Sequence, residues 1–280
     1  MPDWERKILE AAPVADPAEI PANSTMLRAH ERGHLINAAS KTFSNFSVEN
    51  PLDGRIEGFE ATLARMLSIY LTGSSEVETI TATADTRQSL IDNGTTDLVL
   101  YAFSITPERQ AAMEFAGPYY ASQQAVGTMA DTEGISQLTD LIGKDVCTSG
   151  GGSAYLTVSE RIPGAKQLVL ESPRECMLAV EQGRAVAMVS DDTSILGAVQ
   201  EGKMKIAVAG ITLEPWGVAL PKGSTESVEF INDWLDQIIK AGLWEQLWQE
   251  TIGKIPGTKM AIPTPGENLN AELNLDDFVG

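Results

Sequence analysis

Basic residues are scarce in this 280-residue chain: 20 lysines and arginines face 39 aspartates and glutamates, for a formal charge of -19. That balance opposes binding to nucleic acid or to an anionic membrane, so any anion that binds must be drawn by locally concentrated charge. Cysteine is rarer still. With only Cys147 and Cys176, a structural zinc site made of thiolates is excluded. Two readings of the pair stay open. One is a disulfide closing a loop of about 30 residues, worth roughly 3 to 4 kcal/mol by chain entropy; the other is two buried free thiols. The two histidines, His30 and His34, precede the first predicted strand and read as surface residues, so neither is placed for acid–base work. No metal and no cofactor is expected. No apolar run approaches the ~20 residues of a membrane span, and "MPDWERKILEAAPVADPAEIPANSTM" lacks the apolar core of a secretory signal.

What is present is the profile of a globular protein, 43% hydrophobic and 21% charged, with length for one large core or two ordinary ones. Two lobes are the expectation. The opening residues 1–27 are rich in Ala, Pro and Asp and predict a flexible tether. The Pro- and Asn-rich tail from Pro256 is expected to be loosely held, with residues 261–280 forming an extension. Either the protein is cytosolic or an export signal has been trimmed from the chain.

Hydrophobic periodicity then alternates between strand and helix. "HLINAAS" reads as a strand, "ENPLDGRIEG" as a polar loop, and "FEATLARMLSIYL" as a helix with Phe59, Leu63, Met66, Leu67 and Tyr70 on one face. "ETITATA" and "DLVLYAFS" read as strands flanking the short helix "TRQSLIDNG". Alternation of this kind implies a mainly parallel sheet covered by helices on both sides. One internal echo supports two lobes of similar design. "SLIDNGTTDLVLYAFS" and "LAVEQGRAVAMVSDD" are each a helix, a glycine stop and a buried strand ending in polar residues, with Gly94 and Gly183 at the left-handed position that ends a helix. Ligands of such sheets bind beyond the carboxyl ends of the strands, which carry Ser104 and Arg109 in one half and Ser190, Asp191 and Asp192 in the other.

Two local features point to an anion. In "SITPERQ", Thr106 is the N-cap and Pro107 the first helical residue, which leaves Arg109 in the first turn. A helix N-terminus already carries about half a positive charge, so an acid is favoured there and something negative should face the arginine. In "KDVCTSGGGSAYLTVSE", a glycine turn between strand and helix lets the amides of Gly151, Gly152 and Ser153 point outward together. No lysine follows those glycines, which argues against a nucleotide P-loop.

With these pieces in order, the chain resembles the amino-acid-binding proteins of the type 2 periplasmic (solute-binding family 3) class, over roughly His34 to Gly253. The most specific stretch is "NGTTDLVLYAFSITPERQAAMEFAGPYY"; "DGRIEGFEATLARML", "GKDVCTSGGGSAY", "GRAVAMVSDD" and "EPWGVALPKGS" support it in order and spacing. The resemblance implies an α/β, two-lobed Venus-flytrap fold, each lobe a mainly parallel sheet flanked by helices. Lobe one would comprise residues 28–121 and 213–260 and lobe two residues 122–212, joined by two crossing hinge segments. It also implies a site. Arg109 would make a two-pronged salt bridge to a ligand α-carboxylate, helped by Ser104 and the Gly152 and Ser153 amides. Asp191 and the Ala102 carbonyl would take the α-ammonium, and Phe43 would form an aromatic wall. The paired threonines usual in the family are Gly152 and Ser153 here, so the backbone must carry more of the contact.

Arg87 stands where glutamate- and aspartate-binding members carry a side-chain-reading arginine; Lys41 could add a second cation and Arg174 a third. A buried carboxylate needs paired cations, so an arginine-lined pocket favours glutamate or aspartate, with glutamine and asparagine next. The resemblance further implies an extracytoplasmic protein, secreted or lipid-anchored, which captures an amino acid in an interlobe cleft. It would deliver it as a monomer to the membrane permease of an ABC importer, and in that compartment the Cys147–Cys176 bridge is the favoured reading. The alternatives are a sensory receptor domain for the same ligand, or a small dehydratase-like enzyme on the same fold. An enzyme would have only Asp191, Asp192 or Glu214 to serve as acid or base.

Overall fold

The computed structural model describes residues 1–255 and 258–266, so most of the expected extension at 261–280 lies outside the described residues. The fold is α/β, with a mostly parallel central sheet and helices packed on it. Two compact units are formed. Met1–Ala82, Thr86–Ala121 and, among the described residues, the chain from Pro215 on make the first; Thr83–Asp85 with Ser122–Glu214 make the second.

The first unit does not begin as a tether. Asp3–Glu10 forms helix α1, and Thr25–Arg32 forms α2, capped by the Ser24 hydroxyl accepting from Leu27 N at 3.0 Å and closed by Gly33 at φ 86°. The reason is an apolar stripe that the proline-rich composition hides. Ile8 and Leu9 of α1, and Met26 and Ala29 of α2, are buried in the core. Glu5 is buried with them at 2% exposure and is shared by two arginines: Arg65 reaches its Oε1 at 2.9 Å, and Arg55 pairs with its Oε2. Thr62 Oγ1 donates to the same carboxylate at 3.3 Å. His30 is also more than a surface residue, since its Nδ1 donates to the Leu71 carbonyl at 2.6 Å.

Strand β1 (Leu35–Ala39) pairs in parallel with β5 (Val77–Thr81) and β6 (Leu98–Val99). Between β1 and β5 the polar stretch predicted as loop forms a small antiparallel sheet of β2 (Thr42–Phe43), β3 (Ser47–Glu49) and β4 (Ile56–Glu57). Helix α3 (Phe59–Thr72) follows, buried on nearly every side; Phe59, Leu63, Met66 and Leu67 are fully buried. The short helix α4 (Arg87–Asp92) ends at Gly94 with φ 72°, as the helix-stop pattern predicts. Helix α5 (Pro107–Ala112) leads into the long strand β7 (Glu114–Met129).

The second unit repeats the pattern. Strand β8 (Asp145–Ser149) turns through the glycines into α6 (Ser153–Arg161), β9 (Lys166–Leu170) leads to α7 (Pro173–Glu181), and β10 (Ala187–Asp191) leads to α8 (Asp192–Gln200). Strand β8 pairs in parallel with β9 and β10, whereas β7 and β11 (Met204–Val208) add antiparallel partners. Cys147 of β8 and Cys176 of α7 are joined in a disulfide, with Cα atoms 5.4 Å apart and both residues fully buried. The chain returns through β12 (Leu213–Leu220), antiparallel to β6, and ends in α9 (Thr225–Lys240) and α10 (Leu243–Glu250), which bury Trp234 and Trp244 in the first unit's core.

The Glu5 cluster yields a prediction. Removing a buried carboxylate strands the charges it neutralises, so Glu5→Ala should lower unfolding stability by about 3 to 5 kcal/mol, read from the urea midpoint. A midpoint equal to wild type would show that α1 merely rests on the surface.

Candidate functional site

Helix α5 is built as its sequence dictates. Thr106 Oγ1 accepts from the Arg109 amide at 3.2 Å, and Pro107 occupies the first turn, where a missing N–H costs nothing. This geometry turns Arg109 inward while Pro107, Glu108 and Gln110 remain exposed. Its Nη1 donates to the Ser104 carbonyl at 2.8 Å, and its guanidinium lies over the Phe103 ring, 4.8 Å from the centroid. Glu114, an acid close by in sequence, is taken by Lys222 at 3.1 Å.

Arg87 shares that ring. It is buried at 3% exposure, its guanidinium carbon is 3.7 Å from the Phe103 centroid, and its Nη1 donates to the carbonyls of Tyr101 (2.9 Å) and Ala102 (3.0 Å). Two guanidiniums on one aromatic ring concentrate positive charge in a strongly negative chain, with the ring's electron-rich face and backbone carbonyls as counterweight. Between them the backbone is strained: Ala102 has φ 37°, a left-handed conformation that an alanine adopts at a cost of about 1 kcal/mol. The residue is held from both sides. Its carbonyl accepts from Arg87, and its N–H donates to Glu60 Oε1 at 2.7 Å. Tyr119 donates to the same oxygen at 2.5 Å. Burial pushes the Glu60 carboxyl from its ordinary 4.5 up to about 7, against the lowering pull of Tyr119, the Ala102 amide and Arg87. Tyr119 itself is pushed well above its ordinary value by burial and by Glu60.

Phe43 brings a third wall to this part of the first unit. Its half-buried ring stacks on Phe46 at 4.6 Å and meets Tyr101 and Trp216 edge-on at 6.4 and 6.0 Å. Ser104, 3% exposed, bridges to Trp216. Lys41 goes elsewhere: its Nζ lies 3.8 Å from Glu49, and it lines a cavity of about 280 Å³ together with Arg55, Arg65, Asn37 and Thr79.

In the second unit, Asp191 ends β10 and sits opposite Gln124 in register. Gln124 is fully buried, and its Nε2 donates to Glu214 (2.8 Å) and Ser153 (3.0 Å). Ser153 in turn donates its hydroxyl to Glu214 at 2.8 Å, as does Thr212. The Ser153 hydroxyl is therefore committed to this network, and its amide opens α6. Gly152 is the N-cap, and Gly151 must be glycine: φ is +65°, and a Cβ would come within 2.5 Å of Asp85 Oδ1. Asp192 is a structural neighbour of Asp191, accepting from Ser122 at 2.9 Å and from the Thr193 amide at 2.6 Å, and desolvation raises its carboxyl above the ordinary value. Arg174 is exposed on α7.

Glu60, Phe103, Tyr119 and Gln124 escaped the sequence reading, and Glu214 entered it only as a candidate acid, without its partners. A signal existed for Glu60, an acid on a helix whose Ala64, Leu67 and Leu71 neighbours on the same face are all apolar.

The family model described as "Bacterial extracellular solute-binding proteins, family 3" matches residues 35–254. The glutamate-binding protein GluB of Corynebacterium efficiens is 26% identical over 82% of this chain and 82% of its own length. The ABC transporter glutamine-binding protein GlnH of Bacillus subtilis is 25% identical over 75% of this chain and 78% of its own. Among solved structures, a solute receptor for L-cysteine from Neisseria gonorrhoeae covers 87% of this chain and all of its own, with a TM-score of 0.81 at 23% identity; it shows the fold alone.

The buried Glu60 carboxyl predicts a pH dependence of stability. The native state keeps this proton to a higher pH than the unfolded chain does, so its contribution is complete below 4.5 and is lost as pH rises through about 7. Relative to Glu60→Gln, wild type should lose on the order of a few kcal/mol between those values, measured by denaturant unfolding at a series of pH values. Parallel profiles for the two proteins would show that Glu60 titrates normally.

Proposed function

This chain belongs to the bacterial extracellular solute-binding proteins, family 3, and on that premise we propose that it captures a free amino acid and delivers it to an ABC permease. Glutamate or aspartate is the preferred ligand, ahead of glutamine and asparagine. The observation that carries this reading is the pair of guanidiniums, Arg87 and Arg109, on the Phe103 ring. Arg109 takes the α-carboxylate, for which a planar two-pronged donor is matched in shape and charge. Arg87, buried and oriented by two carbonyls, reads an acidic side chain. The Gly152 and Ser153 amides assist at the carboxylate, Asp191 and the Ala102 carbonyl take the α-ammonium, and Phe43 covers the aliphatic part. Relatives named for glutamate and glutamine support the choice of ligand class.

The protein acts outside the cytoplasm, secreted or held by a lipid, and it binds without transforming its ligand. Of the acids an enzyme would need, Asp192 and Glu214 are engaged by protein donors that fix them as acceptors.

A ligand that binds only the folded state stabilises it by RT ln(1 + [L]/Kd), about 2.7 kcal/mol at a hundredfold excess over Kd. In a thermal-shift screen of the twenty amino acids, glutamate or aspartate should raise the melting temperature most, and Arg109→Ala should abolish the shift. A largest shift with glutamine would reassign the side chain that is read; no shift with any of the twenty would overturn the amino-acid reading.

A further inference from the structure

The Glu60 carboxyl is solvated unevenly. Oε1 accepts from both Tyr119 and the Ala102 amide, whereas Oε2 is buried and has no hydrogen-bond partner among the described residues. A carboxylate so placed is poorly stabilised, and a carboxylic acid so placed would aim its proton at nothing, so neither form is strongly preferred by hydrogen bonding alone. What tips the balance is charge. Among the described residues, the titratable or charged side chains facing Glu60 are Tyr119 of β7 and Arg87 of α4. The same helix also carries Arg65 into the Glu5 cluster, where Arg55 and Arg65 are balanced by Glu5 and Glu57. Tyr119 stays neutral, which leaves Arg87 as the one charge that favours the ionised acid.

Glu60 and Arg87 also grip the same peptide, the Tyr101–Ala102 link, one at the Ala102 N–H and the other at the Tyr101 carbonyl, and Arg87 holds the Ala102 carbonyl as well. Anything that neutralises Arg87 is therefore felt at Glu60 both through space and through the strained residue between them. We propose that Glu60 is a positioning residue that couples ligand charge to a proton: an acidic side chain bound at Arg87 draws a proton onto Glu60, and the corresponding amide does not. This rests on the reading that Arg87 faces the ligand side chain. In consequence, the preference for an acid over its amide strengthens as pH falls through neutrality, because the added negative charge is then offset by a neutral Glu60.

The test is calorimetric titration of the full chain at pH 7 in two buffers of different ionisation enthalpy, with glutamate and with glutamine as the two probes. Glutamate should bind with uptake of up to about half a proton, as expected for a group near the midpoint of its titration, and glutamine with a markedly smaller uptake. Glu60→Gln should bind glutamate without buffer dependence. Tyr119→Phe, which removes a donor from the ionised acid, should move the pH of greatest uptake upward; with the wild-type comparison of the two probes, it keeps the test independent of how well Glu60→Gln folds. Equal uptake for both probes, or unchanged uptake in Glu60→Gln, overturns the coupling while leaving amino-acid binding intact. Absence of binding heat and of any thermal shift with either probe removes the amino-acid reading and the coupling with it.

Discussion

Two like charges resting against one aromatic ring are the constraint around which the first unit is arranged. Bringing Arg87 and Arg109 together on Phe103 costs desolvation and mutual repulsion, and the structure offsets it with directed carbonyls at Ser104, Tyr101 and Ala102 and with the ring itself. To aim the Ala102 carbonyl, the chain accepts a left-handed alanine, and to hold that alanine it buries an acid, Glu60, beneath the peptide. Strain, burial and charge here form one linked set, located at the carboxyl end of a strand, where α/β sheets present their ligands.

Contrast with the other buried acids shows how unusual Glu60 is. Glu5 is neutralised by two arginines, Asp97 is paired with Arg32 and accepts from the Ile36 amide, and Glu214 collects donors from Gln124, Ser153 and Thr212 on its two oxygens. Each of these carboxylates is held by several donors. Among the described residues, Glu60 alone combines full burial with a second oxygen that no donor reaches. Acids of the first kind hold elements together; the second kind is where a change of charge nearby can be registered.

Much of this was legible in the residues, for identifiable reasons. Thr106, Pro107 and Arg109 follow local capping rules that tertiary structure had no reason to override, and Gly94 and Gly183 adopt the positive φ that their helix-stop context requires. The helix from Phe59 was marked by its apolar spacing. The N-terminal stretch misled because prolines and acids outnumber the few apolar residues that matter: Ile8 and Leu9 carry α1 into the core, and its Glu5 is buried against Arg55 and Arg65, some 50 and 60 residues away in sequence. The hairpin strands β2 to β4 were hidden because each is only two or three residues long, too short to display a period. Lys41, which the sequence offers as a second cation, lies in the bend ahead of β2 with its Nζ 3.8 Å from Glu49. No spacing rule could have disclosed that Phe103 would lie under both arginines, since that meeting depends on how a six-residue helix and a strand end converge.

The central claim is that the Arg109 guanidinium, through its shape as well as its charge, holds the ligand's α-carboxylate. Equilibrium dialysis of glutamate against wild type and Arg109→Lys tests it most directly, because lysine keeps the charge and loses the planar two-pronged donor. A loss of affinity of at least about tenfold is predicted, the equivalent of a charge-assisted hydrogen bond; an affinity equal to wild type would contradict it.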